Sequence, residues 1–174
     1  MTDRRRPTQA RISRGINPKP LLFTAVSSAV LVSCAQSKPV DPQQAEQEIR
    51  IWLSGYADAI NSGDIDKAGS YYSDGAGFYW IERGGLQYES AEAARTSLSS
   101  LAKSGLNIDV KYTETHISLL GPDAAIASLK FETTFRHADG GSFGFNGWQT
   151  TGVVRTDNGW KIAGGHTETL PPSD

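Results

Sequence analysis

The stretch Ala125-Ile126-Ala127-Ser128-Leu129-Lys130-Phe131-Glu132-Thr133-Thr134-Phe135 decides the class of fold. Its odd-numbered positions are apolar apart from Thr133, whereas polar residues occupy the even-numbered positions apart from Ile126. Successive side chains of a β-strand point to opposite faces of a sheet, so this alternation predicts a strand with one buried and one mostly exposed face. Such strands are typical of antiparallel sheets that cover a single core.

Strand patterns continue on both sides of this stretch. In the preceding strand, residues 108–119, the apolar positions change from even-numbered to odd-numbered near the middle. We therefore expect a bulge between Thr113 and His116, where the strand bends. Three turn signals separate the strands that follow, and the last of them is the strongest hairpin signal of the chain: Gly121-Pro122-Asp123, Asp139-Gly140-Gly141 and Asn158-Gly159.

Helix signals precede these strands. Asp41 is a good N-cap, with Pro42 at the first helical position and Gln44 in the place that completes a capping box. The apolar residues that follow recur at the helical period and form one stripe: Ala45, Ile49, Trp52, Leu53, Tyr56 and Ile60. Asn61-Ser62-Gly63 ends this first helix.

The middle of the chain holds shorter elements. Asp64 caps a second helix to about Tyr72, and Ser90 caps a third helix to about Lys103. Between these helices we expect a hairpin of strands 76–82 and 86–88. Helices first and strands after predict an α+β domain with a curved antiparallel sheet.

The first 33 residues have the pattern of a secretory signal. Six Lys/Arg precede an apolar run from Leu21 to Ser33, and Cys34, the one cysteine of the chain, follows directly. This order resembles bacterial lipoprotein signals, whose cysteine is acylated, with palmitate among the chains, and becomes the new N-terminus. The run is shorter than the roughly 20 residues of a membrane-spanning helix. We predict a signal peptide at 1–33, a lipidated N-terminus and linker at 34–44, and a folded domain at 45–174.

Lipidation of Cys34 would place the protein in the cell envelope. Acyl chains on this residue are the predicted contact with the membrane, since two chains hold a protein stably. Ala35 follows the cysteine, which resembles the sorting pattern of outer-membrane lipoproteins. In a cell with two membranes we therefore expect the outer membrane, facing the periplasm.

The charge of the mature chain excludes one class of partner. Residues 34–174 hold eleven Lys/Arg and eighteen Asp/Glu, a net charge of −7 against +5 for residues 1–33. A nucleic-acid partner needs a basic face, and none is visible. The three histidines, His116, His137 and His166, have no metal-ligand spacing, so we predict no metal and no cofactor.

The order of elements and two groups of residues resemble a known family. The groups are Asn61-Ser62-Gly63-Asp64 with Tyr72-Ser73-Asp74, and Gly159-Trp160-Lys161-Ile162 followed by His166. They resemble the SnoaL-like branch of the nuclear transport factor 2-like superfamily over about residues 45–169. The resemblance implies a cone in which a bent antiparallel sheet wraps the long first helix and encloses an apolar pocket. It does not imply one function, since the superfamily includes enzymes, binding proteins and dimerisation modules.

The resemblance also gives a test for catalysis. Steroid isomerases of the superfamily carry a general-base aspartate at the place that Trp80 occupies here, and an indole cannot accept the proton. Other ionisable candidates are Glu82, His116, Glu132, His166 and Glu168. Glu132 has the exposed parity of its strand, and His116 lies at the expected bend, where an ordinary structural histidine is the simpler interpretation.

His166 and Glu168 form the sharpest candidate pair. Two residues apart on a strand, they face the same side. If Trp160 and Ile162 point into the core and no bulge intervenes, His166 and Glu168 reach the pocket. They could then act there as acid and base. A bulge at Gly164-Gly165 would reverse that orientation, and a purely structural pair at the end of the sheet is the alternative.

The aromatic residues complete the predicted site. We expect a pocket lined by Trp52, Tyr56, Phe78, Trp80, Phe131, Phe145, Trp148 and His166. The sequence thus predicts a lipid-anchored envelope protein that binds a small apolar ligand or a protein partner without catalysis. The alternatives are a cyclase, isomerase or hydrolase that uses His166 and Glu168, and a scaffold that dimerises through its sheet.

Overall fold

The computed structural model describes residues 41–170, and the predicted signal peptide, Cys34 and most of the linker lie outside them. Helix α1, Pro42–Asn61, begins where predicted, with the Asp41 carboxylate accepting from Gln43 N at 3.0 Å. The reciprocal half of the expected capping box is absent from this helix start, because the Gln44 side chain donates to Glu48 instead. Helices α2, Ile65–Gly69, and α3, Ala91–Lys103, follow with Asp64 and Ser90 as their caps.

Six strands form one sheet, with the bounds β1 Trp80–Glu82, β2 Gly85–Tyr88, β3 Asn107–Gly121, β4 Ala124–Arg136, β5 Ser142–Thr156 and β6 Gly159–Thr169. Their order across the sheet is β2-β1-β6-β5-β4-β3. The predicted α+β class is confirmed. Two details differ: the strand expected at 76–82 begins only at Trp80, and β1 pairs parallel to β6, so the sheet is mixed rather than wholly antiparallel.

Helix α1 lies against the inner face of the sheet. Its buried residues Ile49 and Leu53 pack with Leu129, Val153 and Trp160 from three strands. The predicted alternation of β4 is confirmed, since its odd-numbered residues from 125 to 135 are all buried. Burial of this stripe against the sheet is the main source of stability for both elements.

Polar side chains of α1 cover the edge of β3. The Asn61 amide accepts from Val110 N at 2.6 Å and donates to Val110 O at 2.9 Å. Nearer the start of the helix, Arg50 donates to Thr115 O at 3.1 Å. The free backbone N–H and C=O groups of an open strand edge can pair with a strand of another chain. These bonds satisfy some of those groups within the molecule.

Among the register shifts of the sheet, one in β3 and one in β6 set which side chains face inward. The register of β3 shifts between Tyr112 and Glu114, so the extra residue is Thr113, at the start of the window that the sequence indicated. In β6, Gly152 pairs with Gly164 and Val153 pairs with Ile162, so Ala163 has no partner on β5. Because one extra residue reverses the alternation, the residues after Gly164 face the opposite way from a regular strand.

No helix within residues 41–170 combines the length and the apolar character needed to cross a bilayer.

Candidate functional site

A cavity of about 220 Å³ lies between α1, α3 and the inner face of the sheet. Helix α1 contributes Tyr56 and Ile60, and α3 contributes the apolar face of Ala94, Leu98 and Leu101. Arg95 holds α3 in this position, because its guanidinium donates to the carbonyls of Gly69 and Tyr72 at 3.0 Å each. The cavity is therefore formed by elements that are far apart in the sequence.

The predicted aromatic lining is present in part. Five of the predicted residues line the cavity: Tyr56, Phe78, Trp80, Phe131 and Phe145. Trp52 does not line the cavity. Its side chain packs against two groups of buried residues, one that includes Leu53 and one that includes Tyr72, and its ring centre lies 5.1 Å from that of Tyr71. Trp148 lies on the outer face, since the inward residues of β5 on either side of it are Phe145 and Gln149.

The orientation expected for His166 and Glu168 is wrong. The bulge at Ala163 turns both side chains to the outer face, and Thr167 between them lines the cavity instead. His166 borders an outer groove together with Tyr79 and Ile126. The pair therefore has no access to a ligand in the cavity, and the alternative that the sequence left open, a bulge beside Gly164-Gly165, is the one observed.

Two tyrosine hydroxyls meet at the cavity wall. Tyr56 Oη and Tyr72 Oη are 2.8 Å apart, and either can donate. The backbone beside Tyr72 is fixed by β6, because Ile162 N donates to Tyr71 O at 2.7 Å and Ser73 N donates to Ile162 O at 2.8 Å. One of the two hydroxyl protons is used within the pair, and among the described residues the other has no acceptor.

Burial keeps these phenols protonated. Loss of solvent raises the pKa of Tyr56 and Tyr112, and it raises the pKa of Tyr72 well above its ordinary value. After burial, the proximity of Tyr56 is the next influence that raises the pKa of Tyr72. For Tyr56 the next influence is the proximity of Tyr112, which also raises its pKa, whereas the hydrogen bond with Tyr72 lowers it. Burial disfavours the charged phenolate, so these groups stay neutral and can act as hydrogen-bond donors at neutral pH.

A polar row crosses the opposite wall. Glu82 of β1 pairs with Thr167 of β6, which pairs with Gln149 of β5. All three residues line the cavity. A carboxylate, a hydroxyl and an amide therefore follow one another on three successive strands, and neighbouring strands are about 5 Å apart. Within residues 41–170 none of their side chains makes a hydrogen bond or ion pair to the chain. These three groups are free to contact a ligand.

The sequence profile of the SnoaL-like domain family matches residues 49–167, which is more than half of the chain. The chain belongs to the SnoaL-like domain family. No curated protein matches this sequence. The expectation drawn from the Asn-Ser-Gly-Asp and Gly-Trp-Lys-Ile segments is thus confirmed for the folded domain, and the lipoprotein signal stays a prediction.

Solved structures share the fold of this SnoaL-like domain. A candidate dehydratase of the nuclear transport factor 2-like family from Streptomyces avermitilis is 16% identical, with a TM-score of 0.67 over 76% of this chain and 100% of that one. A superfamily protein from Salmonella enterica serovar Typhimurium is 16% identical, with a TM-score of 0.63 over 77% and 95%. A ketosteroid isomerase-like protein from Erwinia carotovora is 18% identical, with a TM-score of 0.59 over 72% and 96%. At these identities the likeness shows the fold alone.

The remaining candidates of the SnoaL-like domain lie outside the cavity. Glu132 is exposed, as its parity predicted. His116 is also exposed; its imidazole is 2.7 Å from the Glu114 carboxylate and stacks on Trp148. In the described part of the chain, no group of three or more His, Cys, Asp or Glu side chains could hold a metal ion.

Several residues of this site are not among those that the sequence predicts. Tyr72 and Tyr112 line the cavity, as do Gln149 and Thr167, and none of the four was proposed. A signal existed for Gln149, because it has the same parity as Phe145. None existed for Thr167, whose orientation depends on the bulge at Ala163.

Proposed function

We propose that this SnoaL-like domain binds a small, largely apolar ligand in the cavity between α1, α3 and the sheet, and that it does so without catalysis. The observation that carries the proposal is an aromatic cavity whose wall holds polar groups without partners in the described chain. Binding sites for small molecules combine an apolar lining with a few such groups. A cavity that served packing alone would leave no reason for unpaired polar groups in its wall.

The volume limits the size of the ligand. An apolar cavity of roughly 150 Å³ accepts benzene. At about 220 Å³, this cavity suits one ring with substituents or two fused rings. The free hydroxyl proton of the Tyr56–Tyr72 pair offers one hydrogen bond to an acceptor atom of the ligand.

Two observations favour binding over catalysis. The position where related isomerases carry their base is Trp80, which lines the cavity and has no basic atom. His166 and Glu168, the acid–base pair of the enzyme alternative, lie on the outer face. Glu82 is the one carboxylate among the described lining residues. An assay with steroid enones, epoxides and polyketide esters tests it for catalysis. Turnover by the parent that is lost in Glu82→Gln would overturn the non-catalytic assignment.

The binding experiment uses a neutral two-ring probe, 2-naphthylmethanol, titrated into the folded domain by calorimetry. Trp80→Ala removes an indole from the wall and should weaken binding by about tenfold, since the probe loses its contacts with that ring. Ala94→Leu fills the cavity and should abolish binding. Trp148→Ala is the matched control, because it makes the same change on the outer face.

The proposal fails if the parent domain does not bind the probe. It also fails if Trp80→Ala and Trp148→Ala weaken binding equally while both variants keep the circular dichroism spectrum of the parent.

We further propose that the domain is anchored to a membrane of the cell envelope through acyl chains on Cys34. The support is the order of basic residues, apolar run and single cysteine in the sequence. In a cell with two membranes, Ala35 favours the outer membrane, with the domain in the periplasm.

Pairing of two copies through the outer face of the sheet stays a prediction. Tyr79 and Ile126 are 52% and 40% exposed on that face, beside the small residues Gly152 and Gly164. Sedimentation of the folded domain tests it: a dimer that Ile126→Glu converts to a monomer would support this interface, and a parent monomer would exclude it.

A further inference from the structure

The charge of the cavity wall points to a narrower class of ligand than the proposed function, on which this inference rests. Glu82 is the one charged side chain among the described residues that line the cavity, and no Lys, Arg or His faces it there. The wall thus presents a negative charge that no side chain of residues 41–170 neutralises.

The neighbours of Glu82 match a specific donor. Thr167 stands beside Glu82 in the cross-strand row, Gln149 stands beside Thr167 on the next strand, and each offers an oxygen acceptor. A protonated amine carries three N–H donors, so one ammonium can contact carboxylate, hydroxyl and amide oxygens together. Hydrogen bonds between charged partners are also stronger than neutral ones.

The aromatic residues around this row favour the same charge. Trp80 lies two residues before Glu82 on β1 and faces the same side, and Tyr88 is paired with Trp80 on β2. The faces of indole and phenol rings attract cations. An anionic ligand would instead meet the Glu82 carboxylate at close range, where like charges repel.

We propose that the cavity selects ring compounds that carry a protonated amine, with the ammonium at Glu82, and rejects carboxylates of the same shape.

Three probes of one shape test this selectivity: 2-naphthylmethylamine as the cation, 2-naphthylmethanol as the neutral form and 2-naphthoate as the anion. We expect the parent domain to bind the amine at least about tenfold more tightly than the alcohol, and to bind the naphthoate more weakly than either. Glu82→Gln should reduce the preference for the amine to about twofold or less. Glu132→Gln is the matched control, because it removes the same charge from the exposed outer face.

Salt gives a second measurement that needs no variant. A preference that comes from Glu82 inside the cavity should persist at about 0.5 M salt, whereas a preference that comes from the acidic surface should disappear. This readout keeps the proposal testable even if Glu82→Gln fails to fold.

The outcomes separate the two proposals. If the alcohol binds and the amine gains nothing over it, the amine proposal is overturned and the binding function stands. Equal reduction of the amine preference in Glu82→Gln and Glu132→Gln overturns it as well. If no probe binds, both proposals fail.

Discussion

Trp160 is the residue on which the contact between β6 and α1 depends most. Its side chain is 4% exposed and packs with Ile49 and Leu53, while the Arg155 guanidinium lies 4.4 Å from its ring centre and donates to Glu48. One aromatic ring thus joins the helix to the last two strands. The inward orientation of Trp160, which the sequence analysis used as a condition for the His166–Glu168 pair, is the one observed.

Trp160→Ala should lower the free energy of unfolding by about 3 to 5 kcal/mol, because truncation of a buried aromatic loses its burial and leaves a cavity. Urea denaturation of parent and variant measures the difference. Trp148→Ala, a half-buried tryptophan on the outer face, should cost much less. Equal decreases in the free energy of unfolding of the two variants would show that Trp160 contributes no more to stability than a half-buried tryptophan.

The buried tyrosines give a pH prediction at the same scale. The folded state raises the pKa of Tyr56, Tyr72 and Tyr112 through burial. Below about pH 10 both folded and unfolded chains hold these protons, so stability does not depend on them. Above that pH the unfolded chain releases protons that the folded chain retains, and stability falls as pH rises.

Each such tyrosine should contribute a slope of up to about 1.4 kcal/mol per pH unit above pH 10, and Tyr56→Phe should reduce the total slope. Absorbance at the tyrosinate band, followed together with circular dichroism, checks this. Titration of all six tyrosines near pH 10 with the fold intact would contradict it.

At the scale of elements, the bulge in β6 decides what the cavity contains. Gly164 has a φ of +150°, and a Cβ at this position would lie 2.8 Å from the Tyr79 carbonyl oxygen. The close approach of this backbone to the segment before β1 therefore requires glycine. The bulge and the parallel pairing of β1 with β6 occur in the same part of the sheet.

Gly164→Ala should lower the free energy of unfolding by about 1 to 3 kcal/mol, since it adds backbone strain and a contact that only a shift of β1 can relieve. Gly152→Ala is the matched control, because the nearest atom to its new Cβ would be 4.0 Å away. Thermal unfolding compares them. A Gly164→Ala variant as stable as the control would mean that the bulge tolerates a side chain.

At the scale of the whole molecule, the proposed lipid anchor would decide where the cavity operates. Residues 34–174 carry a net charge of −7, so electrostatic attraction to an anionic membrane would not hold this part of the chain there. Acyl chains on Cys34 would supply the affinity instead.

Cys34→Ser should release the domain from the membrane fraction while its thermal unfolding stays unchanged, because residue 34 precedes the first helix. Fractionation of cells that express the full chain, followed by immunoblotting, measures the shift. Ser33→Ala is the control, since it keeps both the cysteine and a small residue before it. A Cys34→Ser protein that loses its signal peptide and still sediments with membranes would refute the anchor.

The sequence by itself determined the elements whose signals are local. Asp41 and Pro42 indicate the start of α1, the alternation from Ala125 to Phe135 predicts the inward face of β4, and Asn158-Gly159 predicts the hairpin between β5 and β6. Each signal lies within one short segment of the sequence. Backbone preference and the period of apolar residues are sufficient there to specify the helix, strand or turn.

Only the tertiary structure decided the composition of the site. The inward turn of Thr167, the outward turn of His166 and the parallel pairing that brings Glu82 beside Thr167 all depend on β6 meeting strands distant in the sequence. Gly164-Gly165 permits a regular strand or a bulge, and contact with Tyr79 selects the bulge. Because a shift of one residue exchanges the two faces of a strand, the identity of the cavity groups could be known only once that register was set.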